Sequence, residues 1–331
     1  MNKKEIQNLY KKKIELINKY NKFYYDNSDP KVLDKEYDEL KKEILILEKK
    51  YKFLKSNDSP SVIVGFKPSK NFVKSTHRIP MLSLANAFSE DDLVNFEKKI
   101  LNFLSESDKF KIFYTAEPKI DGISASLIYK NGKFVKGLSR GDGKVGEDIT
   151  ANLETIKNIP KKILKSDFPE EIDIRGEVFI QNSDFINLKE KFANPRNAAS
   201  GSLRQKNPKD TKKIPLKFIA YTFGFEKGLK IEKQSEYLKK LSDWGFKTNP
   251  LNKLISGVEN LIKNYNEVEK QRARLDFDID GIVYKINDFD LQKRLGNVAN
   301  APRWAIAHKF SANSAYSQIL KIEIQIGRTG A

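Results

Sequence analysis

The sequence predicts an α+β protein: a helical hairpin over roughly the first 70 residues, then a larger region of mainly antiparallel sheet. Three observations carry this. Apolar residues recur at helical spacing in two early runs, Leu9, Ile14, Ile17 and Tyr20, then Leu40, Ile44, Leu47, Tyr51 and Leu54. Beyond residue 75 the strand-like segments come in hairpins and clusters instead of alternating strictly with helices. One of them, "YKNGKF", carries Asn131-Gly132, a pair suited to a two-residue hairpin turn.

In chain order, "DNSDPKVLD" supplies the turn between the two helices and Asp34 as an N-cap, and "SNDSPSVIVGF" leads onward as a loop. "DKFKIFYTAEPK", "ASLIYKNGKFVKGLSR", "EIDIRGEVFI", "PLKFIAYTFGF" and "FDIDGIVYKI" read as strands. "SEDDLVNFEKKILNFL", "EYLKKLSDWGF" and "VENLIKNYNEVEKQRARL" read as helices. "KIEIQIGRTGA" alternates Ile322, Ile324 and Ile326 as a half-buried strand does, so the chain is expected to stop just inside a further domain.

Lys and Arg total 61 against 44 acidic residues, a net charge of +17 that suits a polyanionic partner. Many lysines lie in "NKKEIQNLYKKK" and "EKKYKFLK", where a solvated helix face explains them equally well. There is no cysteine, which removes disulfides and thiolate zinc sites, and the two histidines, His77 and His308, have no partner at metal spacing. No signal peptide follows Met1, and no run approaches the ~20 apolar residues of a membrane span, so a soluble intracellular protein is expected.

"GDGKVG", Gly141 to Gly146, matches the dinucleotide-binding G-x-G-x-x-G pattern. Its context argues for a glycine-rich turn instead. "KFVKGLSR" is too polar for a buried parallel strand, and "NIPKKILKSDFPEE" is not the second strand such a unit needs. A Walker loop is excluded by Val145 after Gly143-Lys144.

"YTAEPKIDGISASL" puts Glu117, Lys119 and Asp121 at every second position, on one face if the segment is a strand. The ordinary reading is a solvated charge ladder. The chemical reading is a lysine nucleophile. Exposing a neutral amine at pH 7 costs about 4.6 kcal/mol from a free pKa of about 10.4, and flanking carboxylates raise that cost. A nucleophile here therefore needs other positive charge. "DIDGIVYK" with Asp278, Asp280 and Lys285, "APRWAIAHKF" with Arg303 and Lys309, and "DIRGEVF" with Arg175 and Glu177 offer cations for a phosphate and carboxylates for Mg²⁺ or ribose hydroxyls.

"KIDG", "RGE", "IAYTFGF", "DGIVYK" and "WAIAHKF", in that order, resemble the motifs of covalent nucleotidyltransferases. "YYDNSDPKVLDKEYDEL", "HRIPMLSLANAF", "SRGDGKVGEDIT", "FANPRNAASGSLRQ" and "DFDIDGIVYKIN" narrow the resemblance to bacterial NAD⁺-dependent DNA ligases over nearly the whole chain. It implies a helical NAD⁺-recognition domain at 1–72, a nucleotidyltransferase domain of ATP-grasp-like, mainly antiparallel build at 73–317, and the start of an oligonucleotide-binding barrel at 318–331.

The resemblance also implies roles. Lys119 matches the nucleophile that takes AMP from NAD⁺ with release of nicotinamide mononucleotide (NMN), and Asp121 the acid that positions it. Glu117 matches the adenine reader and Tyr221 the ring stacked on adenine. Ser83 and Leu84 match nucleotide-pocket residues, Arg140 and Glu177 ribose and phosphate contacts, and Lys285 and Lys309 phosphate-binding lysines. Asp280 and Glu177 match metal-site acids for Mg²⁺ or Mn²⁺. Tyr24, Tyr25, Asp34, Tyr37 and Asp38 match the NMN site, where aromatics stack a cationic ring and carboxylates meet its charge and ribose. Arg196 and Arg204 match a basic segment contacting nicked double-stranded DNA.

A cytoplasmic, nucleoid-associated bacterial monomer of DNA replication and repair is implied, without membrane contact and with zinc only in a C-terminal part beyond this chain. Ser28, Tyr25 and His308 depart from residues common at those positions, and "NLKEKFANPRN" is short. An ATP-using ligase or capping-type enzyme, and a basic DNA-binding module without activity, remain as alternatives.

Overall fold

A computed structural model of the chain describes residues 2–25, 34–54, 56, 59, 62, 72–311 and 320–321, with the side chains of 22–25, 34 and 35 outside that description. The expected "DNSDPKVLD" turn, the N-cap role of Asp34, most of the "SNDSPSVIVGF" loop and the terminal strand lie outside the described residues.

The first two helices, Lys3–Tyr25 and Asp34–Lys50, form the expected hairpin. Ile6, Tyr10, Ile14 and Ile17 make one buried stripe, facing Leu40 and Ile44, with Leu54 closing the end. Leu9, expected in this seam, is only half-buried and lies outside the cluster. Tyr10 takes its place, because its ring fills the seam while its hydroxyl donates to Glu48 Oε1 at 2.6 Å.

Two sheets come next along the chain. One has four strands in the order Lys133–Ser139, Ile123–Lys130, Glu171–Phe179, Lys217–Lys227, all antiparallel. The other has five, in the order Ala85–Ala87, Ala305–Lys309, Ile279–Ile286, Phe113–Ile120, Lys253–Ser256. Its pairings are antiparallel except that of Ala85–Ala87 with Ala305–Lys309. Each sheet carries its own core. Leu127, Ile174 and Phe218 of the first pack with Tyr237, Leu241 and Trp244 of and beside the helix Gln234–Asp243. Tyr114, Ile282 and Tyr284 of the second pack with Leu93 and Ile100 of the helix Glu90–Leu104 and Leu261 of the helix Val258–Gln271.

The local chemistry explains the boundaries. Ser89 and Asp92 form a reciprocal capping box at the start of Glu90–Leu104. Asn131 and Gly132 take φ of 46° and 72°, the left-handed pair that a tight hairpin turn requires. The "GDGKVG" segment is a turn: Gly141 and Gly143 sit at φ of 58° and 86°, and the Gly143 and Lys144 carbonyls accept from the Met81 and His77 amides at 2.8 Å. The chain then runs into a three-residue strand, Val145–Glu147, and a single helical turn, Thr150–Leu153. Among the described residues no helix is long and apolar enough to cross a membrane.

His308 is buried at 4% exposure and stacks on Tyr265 with ring centroids 3.9 Å apart. Its Nδ1 has no hydrogen-bond partner. Burial pushes its pKa down to about 4, against a weaker opposing pull from Asp92. An unfolded histidine titrates near 6.5, so between these values the unfolded chain binds the proton more tightly. The stability is present above about pH 6.5 and is lost as pH falls toward 4, by about 3 kcal/mol in all. His308→Phe keeps a ring there and removes the proton site. Urea midpoints taken at pH 7 and pH 4.5 are expected to fall further in the parent than in the variant. Parallel acid limbs in the two proteins would rule His308 out as the cause.

Candidate active site

The strand Phe113–Ile120 carries the candidate lysine one residue from its end, and it pairs antiparallel with Ile279–Ile286, Gly281 opposite Lys119 and Val283 opposite Glu117. The register slips between Ile279 and Gly281, leaving Asp280 as the extra residue of a bulge. Bulges re-aim side chains. Here Asp280 Oδ2 receives the Lys119 amine at 2.8 Å, while its Oδ1 is buried without a partner.

The solvated ladder is thereby excluded, since Glu117 is 4% exposed. The strand stops at Ile120, so Asp121 leaves the shared face. Its amide donates to the Asp278 carbonyl at 2.9 Å, and its carboxylate takes the Arg196 guanidinium. The direct partner of the amine is Asp280, and Asp121 acts on it only through its charge.

Burial pushes the Lys119 pKa down, but Asp280 and Asp121 outweigh burial and Arg196, and hold it above the ordinary lysine value. The amine is held in its protonated form, as two neighbouring carboxylates favour. Glu177 faces it from Glu171–Phe179 and accepts from Ser124 Oγ at 2.9 Å. Burial pushes the Glu177 carboxyl up to about 7, with Lys119, Arg196, Ser124 and Arg140 pulling the other way. Gly122 makes this approach possible: a Cβ there would stand 2.4 Å from the Val178 carbonyl and 2.9 Å from Glu177 Cγ.

Glu117 is locked in place. Lys285 Nζ reaches its Oε2 at 2.7 Å, while Thr115 Oγ1 and Gln234 Nε2 donate to its Oε1 at 2.8 and 3.0 Å. Gln234 and Lys285 also donate to the Tyr221 carbonyl, at 2.7 and 3.0 Å, and the Lys285 amine lies 5.2 Å from the Tyr221 ring centre. Gln234, 1% exposed, was not legible as a site residue: "EKQSEYL" reads as an ordinary helix start.

Across the cleft the hairpin meets this domain. Lys309 Nζ donates to Asp38 Oδ2, Asn86 Nδ2 lies 3.5 Å from Asp38 Oδ1, and the Tyr37 hydroxyl donates to Asn21 at 2.9 Å. Between them lies a cavity of about 1250 Å³. It is lined by every expected site residue whose side chain is described, apart from Asp121 and Asp280, which sit behind Arg196 and Lys119. Ser83, Leu84, Arg140 and Tyr221 are among those lining it. The side chains of Tyr24, Tyr25 and Asp34 lie outside the described residues.

Arg196 and Arg204, which the resemblance matches to a basic segment contacting a nicked duplex, both line this cavity. They lie on and beside a helix that is not among those expected, Pro195–Leu203, started by Asn194 as N-cap and Pro195 in its first turn. That helix turns both guanidinia inward. Arg196 binds Asp121, and Arg204 Nε binds the fully buried Glu147 at 3.0 Å.

A deep cleft between two mainly antiparallel sheets, closed by a helical hairpin and floored by a lysine on a carboxylate, is the build of a covalent nucleotidyltransferase. Residues 69–313 match the family model described as the NAD-dependent DNA ligase adenylation domain, and residues 3–65 that of the DNA ligase-like, N-terminal NAD⁺-binding domain. The chain belongs to the NAD-dependent DNA ligase adenylation family.

It is similar to the DNA ligase of Pelagibacter ubique, 67% identical over all of this chain and 49% of that protein. It is 46% identical to the DNA ligase of Parvibaculum lavamentivorans, over 95% of this chain and 46% of the relative. The DNA ligase of Rickettsia massiliae is also 46% identical, over 100% and 48%. The chain spans about half the length of the curated relatives it matches.

Proposed function

We propose that this chain is the self-adenylating part of a bacterial NAD⁺-dependent DNA ligase, cytoplasmic and nucleoid-associated, with boundaries near 1–72, 73–317 and 318–331. The observation that carries the reading is the Lys119 amine on Asp280, 28% exposed at the floor of a cavity whose roof is Asp38 of the hairpin. The amine gives up its proton and attacks the adenylate phosphorus of NAD⁺. A P–N bond forms, the bond to the bridging oxygen breaks, and NMN leaves with that oxygen. In the full-length enzyme the AMP passes to the 5′-phosphate of nicked duplex DNA, with Arg196 and Arg204 assigned to that substrate.

Each of the three lysines assigned to the chemistry rests on a carboxylate: Lys119 on Asp280, Lys285 on Glu117, Lys309 on Asp38. Substrate phosphates are the natural competitors for Lys119 and Lys309. Tyr221 is assigned to stack adenine, Ser83 and Leu84 to wall the pocket, and Arg140 to meet ribose or phosphate; all four line the cavity. Tyr37 and Asp38, with Tyr24, Tyr25 and Asp34, are assigned to NMN.

Among the described residues no three His, Asp or Glu side chains form a ready metal cage. The residues nonetheless fit Mg²⁺ or Mn²⁺, because Asp280 Oδ1 is buried without a partner and Glu177 faces the same amine. Mg²⁺ is commonly held by one or two carboxylates plus substrate phosphates. Bound there, the ion would neutralise phosphate charge and favour the neutral amine.

Intact mass after incubation of AMP-free protein with Mg²⁺ and either NAD⁺ or ATP tests this. One adenylate, mapped to Lys119 and formed from NAD⁺ alone, is expected. An adduct from ATP would refute the cofactor, and none from either would refute the chemistry.

A further inference from the structure

We propose that Lys41 is a specificity residue of the nucleotide site, the cation through which the helical hairpin holds the nicotinamide-side phosphate of the dinucleotide. This role rests on the adenylation reading of the site and deepens it.

Tyr37, Asp38 and Lys41 lie on one face of the helix Asp34–Lys50, at i, i+1 and i+4 positions, and all three line the cavity. An aromatic, an acid and a cation on one face make a composite reader. The first two are assigned to the nicotinamide ring and ribose, and the cation has no assignment. The ordinary reading is one more lysine on a Lys-rich surface. Its surroundings argue otherwise. Lys42 and Glu43 beside it are exposed, whereas Lys41 is half-buried. Among the described residues its amine makes no hydrogen bond or ion pair.

Three charged groups act on that amine: Asp38 of its own helix, and Arg140 and Lys309 of the facing domain. Arg140 likewise has no side-chain partner among the described residues, and Lys309 is already bound to Asp38. Three cations thus gather around Asp38, with Arg140 also acting on Glu177 and Lys309 on Asp280, and a diphosphate with two negative charges would supply the further anions. Burial and the two neighbouring cations push the Lys41 pKa down, the mark of a cation left short of anions. The amine stands three residues from Asp38, on the nicotinamide side, while Lys119 marks the adenylate phosphorus. The nicotinamide-side phosphate is therefore its partner.

Calorimetric titration of the whole chain with NMN, and with nicotinamide riboside, which lacks the phosphate, tests this in the parent, Lys41→Met and Lys41→Arg. Circular dichroism confirms that each variant is folded. Lys41→Met is expected to bind NMN about tenfold to a hundredfold more weakly, the worth of a charge-assisted contact, and the riboside as before. Lys41→Arg should restore most of the loss. NMN binding untouched in Lys41→Met would overturn the inference. So would equal weakening of both ligands, which would make Lys41 a support of the hairpin. A parent chain that binds neither ligand would bring down the underlying reading of the site, a result separable from either of these.

Discussion

Lys119→Met is expected to abolish the covalent adenylate and leave the chain folded and able to bind NAD⁺. The loss should be at least about 10⁴-fold, to below detection by intact mass, since no covalent intermediate forms without its nucleophile. The neighbouring lysines cannot stand in. Lys285 is sealed on Glu117 with 7% exposure, and Lys309 is held by Asp38 on the opposite wall. Lys119→Arg should fail equally, because a guanidinium does not lose its proton in this pH range. The variant loses some stability, since Asp280 gives up its hydrogen-bonded partner and keeps only the charges of Arg196 and Lys309 in its surroundings, and circular dichroism checks that it stays folded. An adduct persisting in Lys119→Met, with a peptide map placing it on another lysine, would overturn the assignment.

The site was partly legible in the sequence, and the reason lies in what each signal encodes. The hairpin helices were written in local periodicity, and only the seam's edge moved, from Leu9 to Tyr10, because a tyrosine can fill a seam and still reach a carboxylate. The Asn131-Gly132 turn was legible because its backbone demand is local. Glu117 and Lys119 were legible as a pair on one face. The partner of Lys119 was not, because Asp280 stands 161 residues away and reaches the amine through a bulge, which no alternation pattern announces.

The arginines show the same limit. The sequence does not show what Arg196 and Arg204 rest on, because their partners, Asp121 and Glu147, are 75 and 57 residues distant in sequence. The helix that turns them inward did carry a local signal, the Asn194-Pro195 start. Lys41 was hidden by its company: in "DELKKEILILEKK" one half-buried lysine looks like its exposed neighbours until the helix is set against Arg140 and Lys309.

Glu117→Ala should destabilise the protein by about 3–5 kcal/mol, the cost of leaving one member of a buried ion pair without the other. Lys285 and Glu117 retain only 7% and 5% side-chain exposure, at 2.7 Å. Removing the carboxylate also strips Thr115 Oγ1 and Gln234 Nε2 of an acceptor. Lys285→Met should cost less, since Thr115 and Gln234 still partner Glu117. Glu117→Leu with Lys285→Met removes both charges and should recover most of the loss. Urea unfolding of the parent, Glu117→Leu, Lys285→Met and the double variant closes the cycle, and a coupling energy of about 2 kcal/mol or more is expected for so close a pair. A coupling near zero would mean that water reaches the pair and that Glu117 owes its position to Gln234 instead. The distinction bears on function, because the resemblance matches the same carboxylate to the reader of adenine. A Glu117 held by Lys285 from below presents a fixed acceptor to the ligand, whereas one held only by an amide could swing away with it.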